Sequence, residues 1–138
     1  MNNPVLLDTN VLIYAIDQRS DFHQPSQHFI DTYPGKLFTS SKNLSEYISA
    51  GTRGSNPIFT IEEALQDTED FRRFLTVLYP NEDSFSLFRN LIDQYSVRGK
   101  RVHDVEIAAI ALANGITQIA TFNTSDFAGI TEITVVTP

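Results

Sequence analysis

The chain has 138 residues, no cysteine, 17 acidic against 10 basic side chains, and a formal net charge of −7. That length suits one domain with a core of its own, since a chain of this size buries roughly 68% of its unfolded surface. The missing thiols exclude a disulfide framework, thiolate metal sites and cysteine nucleophiles, and the acidic balance excludes a protein that coats nucleic acid through basic surface.

Catalysis on nucleic acid stays open, because clustered carboxylates that hold divalent cations make a sequence acidic while the bound ion reverses the local sign. The first residues carry no basic stretch ahead of an apolar one, and no apolar run approaches the roughly 18–20 residues of a membrane span. The expectation is a soluble, cytoplasmic protein that is one domain over residues 1–138.

Taken in order, "PVLL" (4–7) reads as a short buried strand and residues 9–16 as a first helix. A second helix covers 23–33 and closes at Pro34-Gly35, and "KLFTS" (36–40) is the second strand. Ser40 or Ser41 then caps a helix that stops at Gly51. After the loop at 53–57, Thr60 and Glu63 fit a capping box that starts a polar helix to about Phe74. "TVLYP" (76–80) is a third strand, and Asp83 or Ser84 starts a helix to about Tyr95. Residues 96–103 read as a loop, and Asp104 opens an alanine-rich helix that ends at Asn114-Gly115. "TQIATF" (117–122) and "EITVV" (132–136) are the last strands.

Strands alternating with helices predict an α/β fold. Its form is a three-layer α/β/α sandwich around a mostly parallel sheet of about five strands. "VEIAAIALA" (105–113) is apolar nearly all round, so that helix is expected to be buried. Sites in such folds lie at the carboxyl ends of the strands.

Four acids fall where this architecture builds sites: Asp8 after the first strand, Glu46 in the helix after the second, Asp104 at the start of the buried helix, and Asp126 after the fourth strand. Each has a purely structural use. Asp8 and Asp104 suit helix caps, Glu46 stands at i, i+4 from Lys42, and Asp126 suits an Asx-turn. If all four converge, their charges repel and raise the carboxyl pKa values. A divalent cation removes that cost, and oxygen-only ligands favour Mg²⁺ or Mn²⁺ over zinc.

The segments "LLDTNVLIYA", "NLSEYISA", "RVHDVEIAAIALANGI" and "IATFNTSDF" together resemble the signature segments of PIN domains, and within them the VapC-type toxins of toxin–antitoxin pairs. The resemblance spans nearly the whole chain. It implies a metal-dependent endoribonuclease that leaves a 5′-phosphate and a 3′-hydroxyl, and it puts Asp8, Glu46, Asp104 and Asp126 in the family's acidic quartet. Thr9 and Asn10 match the polar pair after the first acid. Thr121 and Asn123 match residues that support the fourth, and the fourth ligand position itself falls on Asn123 or Asp126. The implied partners are an RNA substrate, a cognate antitoxin and a second copy of the chain.

Phosphodiester hydrolysis would use one or two Mg²⁺ ions, with Asp8 and Asp104 as principal ligands. Arg98, Lys100 and Arg101 form a short basic run that would steer phosphates, or simply solvate a surface loop. His23, His28 and His103 lack zinc spacing, and His103, beside Asp104, is expected to be structural rather than catalytic. Two rivals stand beside the nuclease. A phosphotransferase with Asp8 as nucleophile wants a second acid at position 10, which holds Asn10. A noncatalytic PIN-fold module would bind RNA or protein without cutting. The phenylalanine-rich stretch Phe71, Phe74, Phe85 and Phe88 is expected to serve both core and interface.

Overall fold

The computed structural model describes residues 3–138, so of the single-domain expectation over 1–138 only Met1 and Asn2 lie outside the described residues. Five strands run β1 (Val5–Leu7), β2 (Leu37–Ser40), β3 (Thr76–Leu78), β4 (Gln118–Ala120) and β5 (Thr134–Val136). They lie in the order β3-β2-β1-β4-β5 and every pairing is parallel, so the sheet is more uniform than the expected mostly parallel one. β1 is central: Val5 faces Leu37 on one side and Gln118 on the other. Its three residues are fully buried, as expected of an apolar run without polar alternation.

Side chains alternate across the sheet. Val5 and Leu7 pack with α1 (Thr9–Ile16), α3 (Ser41–Thr52) and α4 (Ile61–Phe74), with α2 (His23–Thr32) at the margin of the same layer. Leu6 points the other way, into α5 (Glu82–Tyr95) and α6 (Arg101–Ala113). The strand order reverses direction at β1: the chain builds outward through β2 and β3, then returns to β4 on the opposite side of β1. A crevice opens beyond the carboxyl ends of β1 and β4, as it does wherever a doubly wound sheet changes direction.

The helices follow their local chemistry. The Thr60–Glu63 capping box forms as expected, with Glu63 N donating to Thr60 Oγ1 at 3.1 Å and Thr60 N to Glu63 Oε1 at 2.9 Å. α6 is the buried helix, with Val105, Ala108, Ala109, Ile110 and Ala111 fully enclosed.

All five strands are one to three residues shorter than the sequence reading and α2 ends one residue earlier, and three further helix boundaries depart from it. α5 starts earlier, because Asn81 and Ser84 make a second capping box. α3 runs through Gly51 instead of stopping there. A Cβ at Gly51 would stand 2.5 Å from Phe59 Cδ2, so the glycine serves close packing against that ring rather than chain termination. α6 begins at Arg101, with Lys100 at the cap position and no side-chain cap bond. Asp104 is therefore the fourth residue of α6 and does not cap it, and Arg101 leaves the predicted loop for the helix. Among the described residues no helix is long and apolar enough to cross a membrane.

Candidate functional site

Asp8 stands where β1 hands over to α1. Its amide extends the ladder by donating to the Ala120 carbonyl at 2.9 Å, which fixes the backbone beside β4. Its carboxylate is almost wholly enclosed, at 7% exposure. Oδ1 accepts from Thr9 N at 2.9 Å and from Asn43 Nδ2 at 3.2 Å. Oδ2 accepts from the Thr121 hydroxyl at 2.8 Å and from Asn10 Nδ2 at 3.4 Å. Only one of these four donors is an amide of α1, so capping does not account for an acid at this position.

The donors are themselves held. Thr121 Oγ1 accepts from Asn10 Nδ2 at 2.9 Å and from Asn123 N at 3.0 Å, so its remaining proton is directed at Asp8. Asn10 Oδ1 accepts from Phe122 N at 3.0 Å, stitching α1 to the end of β4. Asn43 Nδ2 also reaches Thr9 Oγ1 at 3.1 Å, and Asn43 N donates to Ser40 Oγ at 3.2 Å. Four lone-pair positions of Asp8 are thus used. The 3.4 Å contact with Asn10 is at the long end of hydrogen bonding, so that part of Oδ2 is the most easily released to another ligand.

Asp104 on α6 and Asp126 in the 3-10 turn Thr124–Phe127 share a cleft of about 690 Å³ with Asp8. Glu46, Lys42, Ser45 and Ser49 of α3, with Lys100, His103 and Asn123, complete its walls. Burial pushes Asp104 up to about 6, helped by the negative charges of Asp126 and Asp8 and opposed by Arg101 and His103. Burial likewise raises Asp8, against the hydrogen bonds from Thr121, Thr9 and Asn43 and with the charge of Asp126. Three of the four expected acids therefore sit within one another's field.

Glu46 borders the same cleft, but its carboxylate is half-exposed and lies 3.7 Å from Nη2 of Arg53, the residue that follows the end of α3. Lys42, the i, i+4 neighbour that a purely structural use of Glu46 would need, pairs with Glu106 at 3.4 Å. Of the three cations in the basic run, Lys100 lines the cleft. Arg101 donates to the Ala128 carbonyl at 3.0 Å, and Arg98 is on exposed surface. His23 is structural, bonded through Nδ1 to the Tyr14 carbonyl at 2.8 Å, whereas His103 lines the cleft. Asn43 was not singled out in the sequence; its one signal was a polar side chain three residues before Glu46 on a largely apolar helix face.

Among the described residues no three acidic or imidazole groups are clustered tightly enough to enclose an ion by themselves. The donors are oxygens that repel one another, which fits a hard cation. Mg²⁺ in particular keeps several waters and needs only one or two carboxylates plus substrate phosphates, not a complete protein cage.

The PIN domain family model matches residues 5–132. The chain belongs to the PIN domain family. Solved PIN-fold structures superpose over nearly its full length. VapBC2 of Rickettsia felis, solved with a promoter DNA fragment, aligns with a TM-score of 0.71 at 19% identity, covering 98% of each chain. VapBC-1 of nontypeable Haemophilus influenzae aligns at 0.69 and 24% identity over 97% of each chain. VapC20 of Mycobacterium tuberculosis, a toxin that cleaves the sarcin–ricin loop, aligns at 0.73 and 14% identity, over 90% of this chain and 93% of that one. At these identities the likeness establishes the PIN fold. No curated protein sequence matches the chain.

The raised carboxyl of Asp104 has a measurable consequence in metal-free protein. The folded chain holds a proton there up to about pH 6, whereas the unfolded chain releases it near the ordinary aspartate value. The stability this contributes is complete at pH values below the unfolded pKa and is lost as pH rises through about 6. Asp104→Asn should therefore gain on the wild type between pH 4 and pH 7, by about 1 kcal/mol after discounting for solvent at a half-buried group. Thermal melts of both proteins across that range check this, and a difference that does not change with pH would contradict it.

Proposed function

We propose that this PIN domain is a Mg²⁺- or Mn²⁺-dependent endoribonuclease and the toxin of a toxin–antitoxin pair. The observation that carries the reading is the meeting of Asp8, Asp104 and Asp126 at the carboxyl edge of the sheet, with burial and mutual charge raising Asp104. An apolar ligand, or an anion on its own, has no use for such a site; a divalent cation with a phosphate behind it does. The whole chain, residues 1–138, acts as one nuclease domain in this reading.

Asp8 and Asp104 are the principal ion ligands. Asp126 adds the third charge, and Glu46, once swung from Arg53, acts directly or through water. A divalent cation supplies Lewis acidity to the scissile phosphate and lowers the pKa of a water it holds. The chain does the positioning: Thr9, Asn10, Thr121 and Asn43 fix the Asp8 carboxylate, and the Asn123 amide bound to Thr121 fixes the strand end that leads to Asp126. Lys100 contacts substrate phosphate from the cleft wall, and Arg98 and Arg101 add positive field nearby.

The test is digestion of a mixed-sequence RNA. Cleavage with Mg²⁺ or Mn²⁺, its loss in EDTA, and a fall of about 100-fold or more in Asp104→Asn are expected. An intact substrate with the folded wild type in either ion would favour the rival reading, a noncatalytic module; Glu46's pairing with Arg53 is the observation on that side.

A cognate antitoxin is the protein partner in this reading. The groove between the end of α1 and α4 suits it, with apolar Ile16 and Ile58 beside acidic Glu62, Glu63 and Asp67 and the Asp17–Arg19 ion pair. A basic segment with apolar side chains complements that surface. Of the four phenylalanines expected to serve core and interface, Phe71 is buried and Phe88 half-buried, while Phe74 and Phe85 are 53% and 58% exposed. A second copy of the chain covers these two in the proposed homodimer. Sedimentation should give twice the chain mass with the wild type and a monomer with Phe85→Glu; a wild-type monomer at high concentration contradicts the dimer.

A further inference from the structure

Five ion pairs occur among the described residues, and four of them join side chains at most seven positions apart in the sequence: Arg19 with Asp17, Arg53 with Glu46, Arg72 with Glu69, and Arg73 with Asp70. The fifth is different in kind. Lys42 Nζ lies 3.4 Å from Glu106 Oε1, joining α3 to α6. Those helices pack on opposite faces of the sheet, so this pair alone bridges the two helical layers, and it does so over the carboxyl edge where the cleft opens.

We infer that Lys42 is a phosphate-binding residue for the RNA strand, held ready by Glu106, which gives it up when RNA enters. The inference rests on the nuclease reading of the same cleft. The floor of the cleft is anionic, so a polyanion needs cations on its walls. Lys42 supplies one from the α3 wall and Lys100 one from the α6 wall. Ser45 and Ser49 stand three and seven residues beyond Lys42, on the same face of α3 and on the same wall. In the resting state Ser45 Oγ donates to the Ser41 carbonyl at 3.1 Å and Ser49 Oγ accepts from Arg53 Nη2 at 2.9 Å, so this wall continues as a polar row beside Lys42.

Exchange of Glu106 for a phosphate costs little. The Lys42 side chain is 44% exposed and that of Glu106 26%, so the pair is solvent-screened and a phosphate offers equal or better charge pairing. Glu106 thereby sets the resting position of Lys42 and competes with substrate for it.

The experiment is fluorescence anisotropy with a short, labelled, single-stranded RNA of mixed sequence. Ca²⁺ replaces Mg²⁺, and a gel checks that the RNA stays intact. Lys42→Gln should weaken binding about three- to tenfold and reduce the slope of log affinity against log salt by roughly 0.7, the value of one phosphate contact on a single strand. Glu106→Gln should tighten binding, about two- to fivefold, by freeing the lysine. Opposite signs are the signature, because a merely structural strap is broken equally by either change. If the wild type binds and cleaves RNA but the two variants weaken alike, or neither moves, the role of Lys42 is overturned while the nuclease reading stands. If the wild type neither binds nor cleaves RNA, both fall.

Discussion

The arrangement of this molecule turns on the burial of one carboxylate. Taking an ionised group out of water costs several kcal/mol unless its lone pairs are met by donors. Asp8 is 7% exposed, and its four acceptor positions are met from α1, from α3 and from the end of β4. Those donors are useful only if the three segments keep their relative positions. The requirement explains why so many small polar residues cluster at one edge of an otherwise apolar sheet: Thr9, Asn10, Thr39, Ser40, Asn43 and Thr121 are all there. It also explains why that edge is rigid enough to place a ligand, since each donor is tied down by a second bond.

The sheet topology supplies the second half of the arrangement. Because strand order reverses at β1, α6 and the turn after β4 approach the same edge from the layer opposite α3. Asp104 and Asp126 thereby face Asp8 across the crevice. The fold thus concentrates negative charge where it is electrostatically unfavourable, and burial, together with the charges of Asp126 and Asp8, pushes Asp104 up to about 6. Charge placed against its own preference is characteristic of sites built for a ligand that relieves it.

Much of this was legible in the sequence, for physical reasons that also mark where legibility ends. Strand and helix alternation is a local signal, so element order and the position of Asp8 at a strand end followed from hydrophobic runs and turn residues. The parallel sheet and the enclosed α6 followed from composition. Asn43 escaped notice because a single asparagine in a helix carries no sign that it reaches a carboxylate 35 positions away. The partner of Lys42 is not legible either: helical spacing offers only Glu46, in the weaker i, i+4 orientation, whereas Glu106 comes from a helix on the other face of the sheet, a contact that only tertiary packing creates. The start of α6 was misplaced because Lys100 makes no side-chain cap, so the helix begins without the usual polar signal, three residues before Asp104. Gly51 looked like a stop because glycine usually is one; its use against the Phe59 ring depends on a residue that follows the helix by a loop.

The most direct test of the account is calorimetric titration of the metal-free protein with Mn²⁺, comparing wild type, Asp8→Asn and Thr121→Val, each shown folded by circular dichroism. If Asp8 is a ligand oriented by its neighbours, the wild type binds Mn²⁺ and Asp8→Asn does not. Thr121→Val, which keeps the carboxylate but removes the hydroxyl that aims it, binds about tenfold or more weakly. Mn²⁺ binding by folded Asp8→Asn at wild-type affinity would contradict the account.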